Sequence, residues 1–198
     1  MKSLALVIFL GLFAAYSAQK RVKVTILYET LCPDSTKFVT EQLSPNYYHL
    51  RNYIDFELVP FGKAKSQNNG ASFTCQHGQT ECAGNRIQTC ALNSIWNKDL
   101  QIAFVGCYMS TGDLSGFHCA NKYGIEFADI MYCASTDLGR QLQLRDEKRT
   151  GQFRPSFVPT IIYNNKFDEG VQDRALYDFL GASCEMINFA APICNGKK

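Results

Sequence analysis

The chain has 198 residues, 20 basic against 18 acidic side chains, a formal charge of +2 and nine cysteines. That length holds one domain with room for an insertion, and charges so evenly balanced and dispersed exclude a nucleic-acid-binding surface. Residues 1–17 have the composition of a secretory leader. Lys2 gives a short positive start, and LALVIFLGLFAAY gives an apolar core too short to span a bilayer. Ala15 and Ser17 satisfy the small-residue rule, so cleavage is expected after Ser17 or Ala18. No later stretch is apolar enough for a transmembrane helix. The mature chain, residues 18–198, is expected to be a soluble protein of the secretory pathway without membrane insertion.

The next stretch, VKVTILYE, alternates. Val22, Val24, Ile26 and Tyr28 fall on one face and Lys23, Thr25 and Glu29 on the other, which predicts a half-buried strand. A helix pattern follows, with Phe38, Val39 and Leu43 apolar and Pro45 expected as its stop. Cys32 falls at the strand-to-helix junction, near the N-cap, with Pro33 at the favoured first helical position. Free backbone N–H groups and the positive end of the helix dipole favour a thiolate at such a place. This is where a thioredoxin-like C-x-x-C motif puts its nucleophile, but the fourth residue is Ser35. A serine can hydrogen-bond the Cys32 sulfur; it cannot complete a disulfide. Asp34 adds a negative charge that opposes the thiolate.

IDFELVPFG supplies a second alternating strand, so strand, helix and strand form a βαβ unit with a parallel pair. From about residue 63 to 151 the pattern is mostly helical, for example at Ile95, Trp96, Leu100, Ala103, Phe104 and Cys107, with a loop at Ser66–Gly70. This region reads as a disulfide-rich helical insertion. Its mixed charge run, Arg145-Asp146-Glu147-Lys148-Arg149, suits a solvated helix end. TIIYNNKFDEGV then reads as a hairpin turning at Asn164-Asn165, and Leu176, Phe179 and Leu180 mark one closing helix. The order β-α-β followed by β-β-α predicts an α/β, thioredoxin-like fold. In that fold Val158 and Pro159, just before the third strand, occupy the position of a cis-proline facing the nucleophile. Backbone there pairs with an extended substrate peptide, which makes both residues candidate substrate contacts.

The cysteines lie at 32, 75, 82, 90, 107, 119, 133, 184 and 194. An odd number leaves one unpaired in an oxidising compartment. Setting Cys32 aside leaves Cys75, Cys82, Cys90, Cys107, Cys119, Cys133, Cys184 and Cys194, an even set able to close four structural disulfides. Their pairing stays open, apart from Cys184 with Cys194, which are close together at the C-terminal end. Cys75, His77, Cys82 and Cys90 are zinc-type ligands but lack a zinc-finger spacing, and secretion favours disulfides, so no metal is assigned. His77 is read as a hydrogen-bonded structural residue. There is no Asn-x-Ser/Thr sequon.

Residues 75–90, Cys-Gln-His-Gly-Gln-Thr-Glu-Cys-Ala-Gly-Asn-Arg-Ile-Gln-Thr-Cys, closely resemble the C-Q-H-G-x-x-E-C-x-x-N-x-x-x-x-C signature of the gamma-interferon-inducible lysosomal thiol reductase (GILT) family. The match is at Cys75, Gln76, His77, Gly78, Glu81, Cys82, Asn85 and Cys90. The resemblance implies a thioredoxin-like enzyme that reduces disulfides of protein substrates in endolysosomal compartments, often in host defence. Cys32 and Ser35 are then the catalytic candidates. With Ser35 in place of the family's second cysteine, the expected activity is monothiol exchange, with an external small thiol as reductant and no cofactor. The family's lysosomal delivery relies on N-glycans, so the missing sequons weigh toward secretion. Two alternatives follow from the same residues: a secreted peptide- or protein-binding protein without turnover, and a disulfide isomerase.

Overall fold

The computed structural model describes residues 21–196; the expected leader lies outside them. Strand β1 (Val22–Tyr28) leads through a short loop into α1 (Pro33–Lys37), a π-helical segment (Phe38–Leu43) and α2 (Ser44–Leu50), and the chain returns as β2 (Ile54–Pro60). The two strands are parallel, with Ile26 opposite Leu58. Pro45 does not stop the helix. The Ser44 N–H bonds back five residues to the Val39 carbonyl, and this wide turn delivers Pro45 into the first turn of α2, where no amide hydrogen is needed.

A small hairpin, β3 (Lys65–Gln67) with β4 (Ser72–Thr74), turns at the anticipated loop. Five helices follow: α3 (Gly78–Ser94), α4 (Lys98–Thr111), α5 (Phe117–Lys122), α6 (Phe127–Ser135) and α7 (Asp137–Gly151). They are the expected insertion. The chain rejoins the sheet as β5 (Thr160–Tyr163), antiparallel to β1, and closes with α8 (Glu169–Tyr177), α9 (Phe179–Met186) and a 3₁₀ turn (Pro192–Cys194). No helix among the described residues is long and apolar enough to cross a membrane.

The main sheet has the order β2-β1-β5, so β1 is central. That placement corrects the half-buried reading, because Val24 to Tyr28 are buried on both faces. Val24, Ile26 and Tyr28 join one core with Phe38, Leu43, Phe104 and Phe179. Leu27 joins a second, smaller core with Val59, Phe61, Phe73 and Ile162. Each such side chain contributes roughly 1.5–3 kcal/mol on burial, and Phe38 stands edge-on to Phe179 with ring centroids 5.4 Å apart.

Two C-terminal expectations change. Asn164 and Asn165 turn with φ of 50° and 59°, as a two-residue hairpin turn demands, but the returning strand is reduced to one bridge, Tyr163 to Lys166. The reason is Asp168, whose carboxylate accepts the Val171 N–H (3.0 Å) and starts α8 at once. The closing helix is also divided. Asp178 leaves helical geometry (φ −140°, ψ 70°) and recaps the chain by accepting the Gly181 N–H at 2.9 Å.

Four disulfides lock the scaffold: Cys75–Cys82, Cys90–Cys133, Cys107–Cys119 and Cys184–Cys194. The pair expected at the C-terminal end forms, and the three cysteines of zinc-ligand type, Cys75, Cys82 and Cys90, are all joined in disulfide bonds. The charge run in α7 is not a solvated end. Asp146 is buried and accepts from the Thr89 hydroxyl (2.7 Å), while Arg149 bonds Glu57 of β2 (2.6 Å), Thr25 of β1 (3.0 Å) and Asn165 (2.8 Å). This seam ties the insertion to the sheet.

Candidate active site

Cys32 caps α1 at the C-terminal end of the central strand. Its backbone is extended (φ −67°, ψ 121°), Pro33 follows, and Sγ accepts the Ser35 N–H at 3.5 Å. It is the free cysteine among the described residues. The thiol is enclosed rather than open to solvent, with 7 % of the residue exposed. Two of its neighbours are polar backbone groups, the Ser35 N–H and a carbonyl. The Val158 carbonyl lies 3.7 Å from Sγ, and the Val158–Pro159 peptide is cis, as the fold predicts.

Ser35 is fully buried, and its bond to the sulfur comes from the backbone N–H. Its hydroxyl turns the other way and accepts from the Glu29 N–H at 3.3 Å. Ser35 therefore links the helix bearing Cys32 to the end of β1. Asp34 is exposed.

Pro159 and the start of β5 are held from behind by Gln172. This side chain, 0 % exposed in α8, accepts the Ile161 N–H (2.7 Å) and donates to the Pro159 carbonyl (3.0 Å). The Thr160 hydroxyl donates to the Phe157 carbonyl at 2.6 Å and tightens the approach to the turn. Gln172 carried no signal in the sequence, since a lone glutamine on a helix reads as solvent-facing.

Beneath the Cys32 loop lies a buried acid. Glu29 is 0 % exposed; Oε1 accepts the Lys63 N–H at 2.5 Å. The Gln76 amide, oriented to satisfy both neighbours, donates to Glu29 Oε2 and accepts from Lys63 Nζ, each at 3.2 Å. Burial raises the Glu29 carboxyl to about 7; the charge of Glu81 pushes the same way, while the Lys63 amide and the His77 and Lys63 charges pull it down. A Cβ at Gly62, which has φ +57°, would fall 2.4 Å from Glu29 Cγ, so the glycine makes room for the acid.

His77 Nδ1 lies 2.6 Å from Glu81 Oε2 and 4.0 Å from Glu29 Oε2. Glu29, His77 and Glu81 are the described residues whose potential ligand atoms converge, within 4.8 Å of one another. Hydrogen bonds hold the two buried carboxylates in place, and His77 forms the exposed edge of the cluster. The geometry thus brings Cys32, Ser35, Val158 and Pro159 together and adds Glu29, Gln76, His77, Glu81 and Gln172, which sequence reasoning left outside the site.

Residues 23–123 match the family described as gamma interferon inducible lysosomal thiol reductase (GILT). GILT-like protein 1 of Drosophila melanogaster is 36% identical, the match covering 91% of this chain and 81% of that protein. The gamma-interferon-inducible lysosomal thiol reductase-like protein of Anopheles gambiae is 32% identical over 86% of this chain and 78% of its own length. Among solved structures, a putative protein disulfide isomerase from Nitrosomonas europaea superposes with a TM-score of 0.53 at 14% identity, covering 86% of this chain and 97% of that one. That likeness bears on the fold, which is thioredoxin-like.

Proposed function

The chain belongs to the GILT family, and from that premise we propose that it is a thiol-disulfide oxidoreductase working by monothiol exchange at Cys32. The observation that carries the reading is one cysteine left free while eight are paired, and left free at a helix N-cap against a cis-proline turn. The Cys32 thiolate attacks one sulfur of a substrate disulfide, forming a mixed disulfide and releasing the other half as a thiolate that takes up a proton. A small external thiol then attacks the Cys32 sulfur and frees the second half of the substrate. A further equivalent of that thiol attacks the resulting adduct, regenerates Cys32 and leaves as the oxidised small-thiol disulfide. Two electrons pass from two external thiols to the substrate, and no cofactor enters.

Ser35 and the Val158–Pro159 turn have separate roles in this scheme. The Ser35 N–H stabilises charge on the attacking sulfur, and the peptide edge at Val158 aligns an extended protein substrate beside it. Four disulfides support a place in the secretory pathway, whether secreted or endolysosomal, and the relatives named lysosomal favour the endolysosomal site.

The test is reduction of a protein disulfide with a small-thiol donor. Cys32→Ala abolishes it, and the wild type accumulates a mixed disulfide at Cys32 that mass mapping locates. Ser35→Cys supplies a resolving thiol, so that variant cycles through an internal disulfide with Cys32 and turns over faster. Activity surviving in Cys32→Ala would overturn the reading. Substrate binding without mixed-disulfide formation would favour a non-catalytic binding protein instead, and faster rearrangement of scrambled disulfides than net reduction would favour an isomerase.

A further inference from the structure

The two residues before Cys32 lie between β1 and α1, outside both ladders, and side chains of α3 hold them. Asn85 Oδ1 accepts the Thr30 N–H (3.0 Å) and the Thr30 hydroxyl (2.9 Å). Glu81 Oε2 accepts the Leu31 N–H at 3.3 Å, and the Glu81 backbone carbonyl lies 3.3 Å from the same Thr30 hydroxyl. Both side chains are 0 % exposed and sit one turn apart on the face of α3 that meets the loop. The carboxylate is itself aimed from its own helix end, because Oε1 accepts the His77 N–H (3.0 Å) and Oε2 meets His77 Nδ1. The approach is close enough that a Cβ at Gly84 would lie 2.6 Å from the Thr30 hydroxyl.

We infer that Glu81 and Asn85 are positioning residues for the Cys32 sulfur. They fix the Thr30–Leu31 backbone, and through it the distances from Sγ to the Ser35 N–H and to the Val158 carbonyl. The hydrogen-bond partners of the sulfur are instead the Ser35 N–H and the Val158 carbonyl. The inference rests on Cys32 being the nucleophile. Its consequence is specific, because a misaligned sulfur slows attack without weakening substrate binding, and displacement of about 1 Å is enough for losses of order a hundredfold. A purely architectural role for these side chains predicts a loss of stability alone.

The experiment is single-turnover formation of the mixed disulfide between the mature protein and a peptide disulfide, followed over peptide concentration. Asn85→Leu removes the acceptor at constant size; its saturating rate is expected to fall about tenfold or more with the half-saturating concentration unchanged. Asn85→Asp restores an acceptor oxygen and is expected to recover most of the rate. Thr89→Val, which removes a buried bond to Asp146 from the same helix, is expected to lose stability and keep the wild-type rate. Thr30→Val stands in if Asn85→Leu does not fold, since it deletes only the hydroxyl bonds to Asn85 and Glu81. Equal slowing in Thr89→Val, or a wild-type rate in folded Asn85→Leu and Thr30→Val, overturns the inference. Amide hydrogen exchange at Thr30 and Leu31 separates it from the nucleophile reading. If no mixed disulfide forms even in the wild type, that reading falls, and the clamp falls with it only if exchange is no faster in Asn85→Leu than in Thr89→Val.

Discussion

Glu29→Gln tests the electrostatics beneath the site. Burial of the Glu29 carboxyl is expected to make the native protein more stable in acid than at neutral pH. The group rises from 4.5 to about 7 on folding, and at 1.36 kcal/mol per pH unit the difference is at most about 3 kcal/mol. Below pH 4.5 both states hold the proton and Glu29 contributes nothing to the pH dependence. Between pH 4.5 and 7 the unfolded chain releases its proton first, so it binds fewer protons than the native state and stability falls as pH rises. Above 7 the whole penalty is present. Glu29→Gln deletes the charge but keeps an oxygen for the Lys63 N–H. Its stability relative to wild type should therefore grow by about 3 kcal/mol between pH 4.5 and 8. For a chain of this length that is a divergence of roughly 6–12 °C in Tm. Thermal and guanidinium unfolding at pH 4.5, 6 and 8 measure it. A gap that is constant with pH, or widest in acid, would refute the argument.

The seam at Glu57 makes the opposite prediction. Burial by itself raises this carboxyl, but hydrogen bonds from Arg149, Thr25 and Lys23 outweigh it and bring the group down to about 2. Its stabilisation is present above pH 4.5 and lost as pH falls toward 2, so Arg149→Met should lower stability by about 2 kcal/mol at pH 7 and flatten the acid limb of the stability curve. Equal losses at pH 7 and pH 2.5 would exclude the ion pair as the cause. Among the disulfides, loop length sets the ranking. Removing Cys90–Cys133, which spans 43 residues, should lower stability by about 4 kcal/mol, and removing Cys75–Cys82, which spans 7, by about 2. Guanidinium unfolding of the two double-alanine variants gives the order, and a reversed order would show that native contacts rather than chain entropy dominate.

The parts of this molecule legible in the sequence were those written in local patterns. Alternation marked β1 and β2, the N-cap position and Pro33 marked the start of α1, and the odd cysteine count singled out Cys32. The failures share a cause. Whether β1 is covered on one face or two depends on which strands flank it, and alternation in one segment does not contain that information. Pro45 broke the helix pattern on paper, yet one wide turn in three dimensions accommodates it. Asp146 and Arg149 read as solvent charges because their partners, Thr89, Glu57 and Thr25, lie 57, 92 and 124 residues away.

The buried face of α3 shows why the site itself was only half visible. Glu81, Asn85, Gln88 and Thr89 recur at helical spacing and all are buried, so a polar stripe runs along the buried face beside Cys82, Cys90 and Ala91. A periodicity argument that equates burial with apolar character points this face to solvent. Its chemistry is set by what it meets: the Thr30 and Leu31 amides, the Tyr28 hydroxyl on Gln88 at 2.5 Å, and Asp146 on Thr89. Backbone N–H groups in a dry interior demand acceptors, and an apolar stripe would leave them unsatisfied at roughly 1–3 kcal/mol each. The polar residues of the 75–90 motif are therefore intelligible as the complement of a loop more than forty residues upstream. A signature so far in sequence from Cys32 marks the second half of one candidate site, and the insertion that carries it is part of that site's scaffold as well as a cover for the sheet.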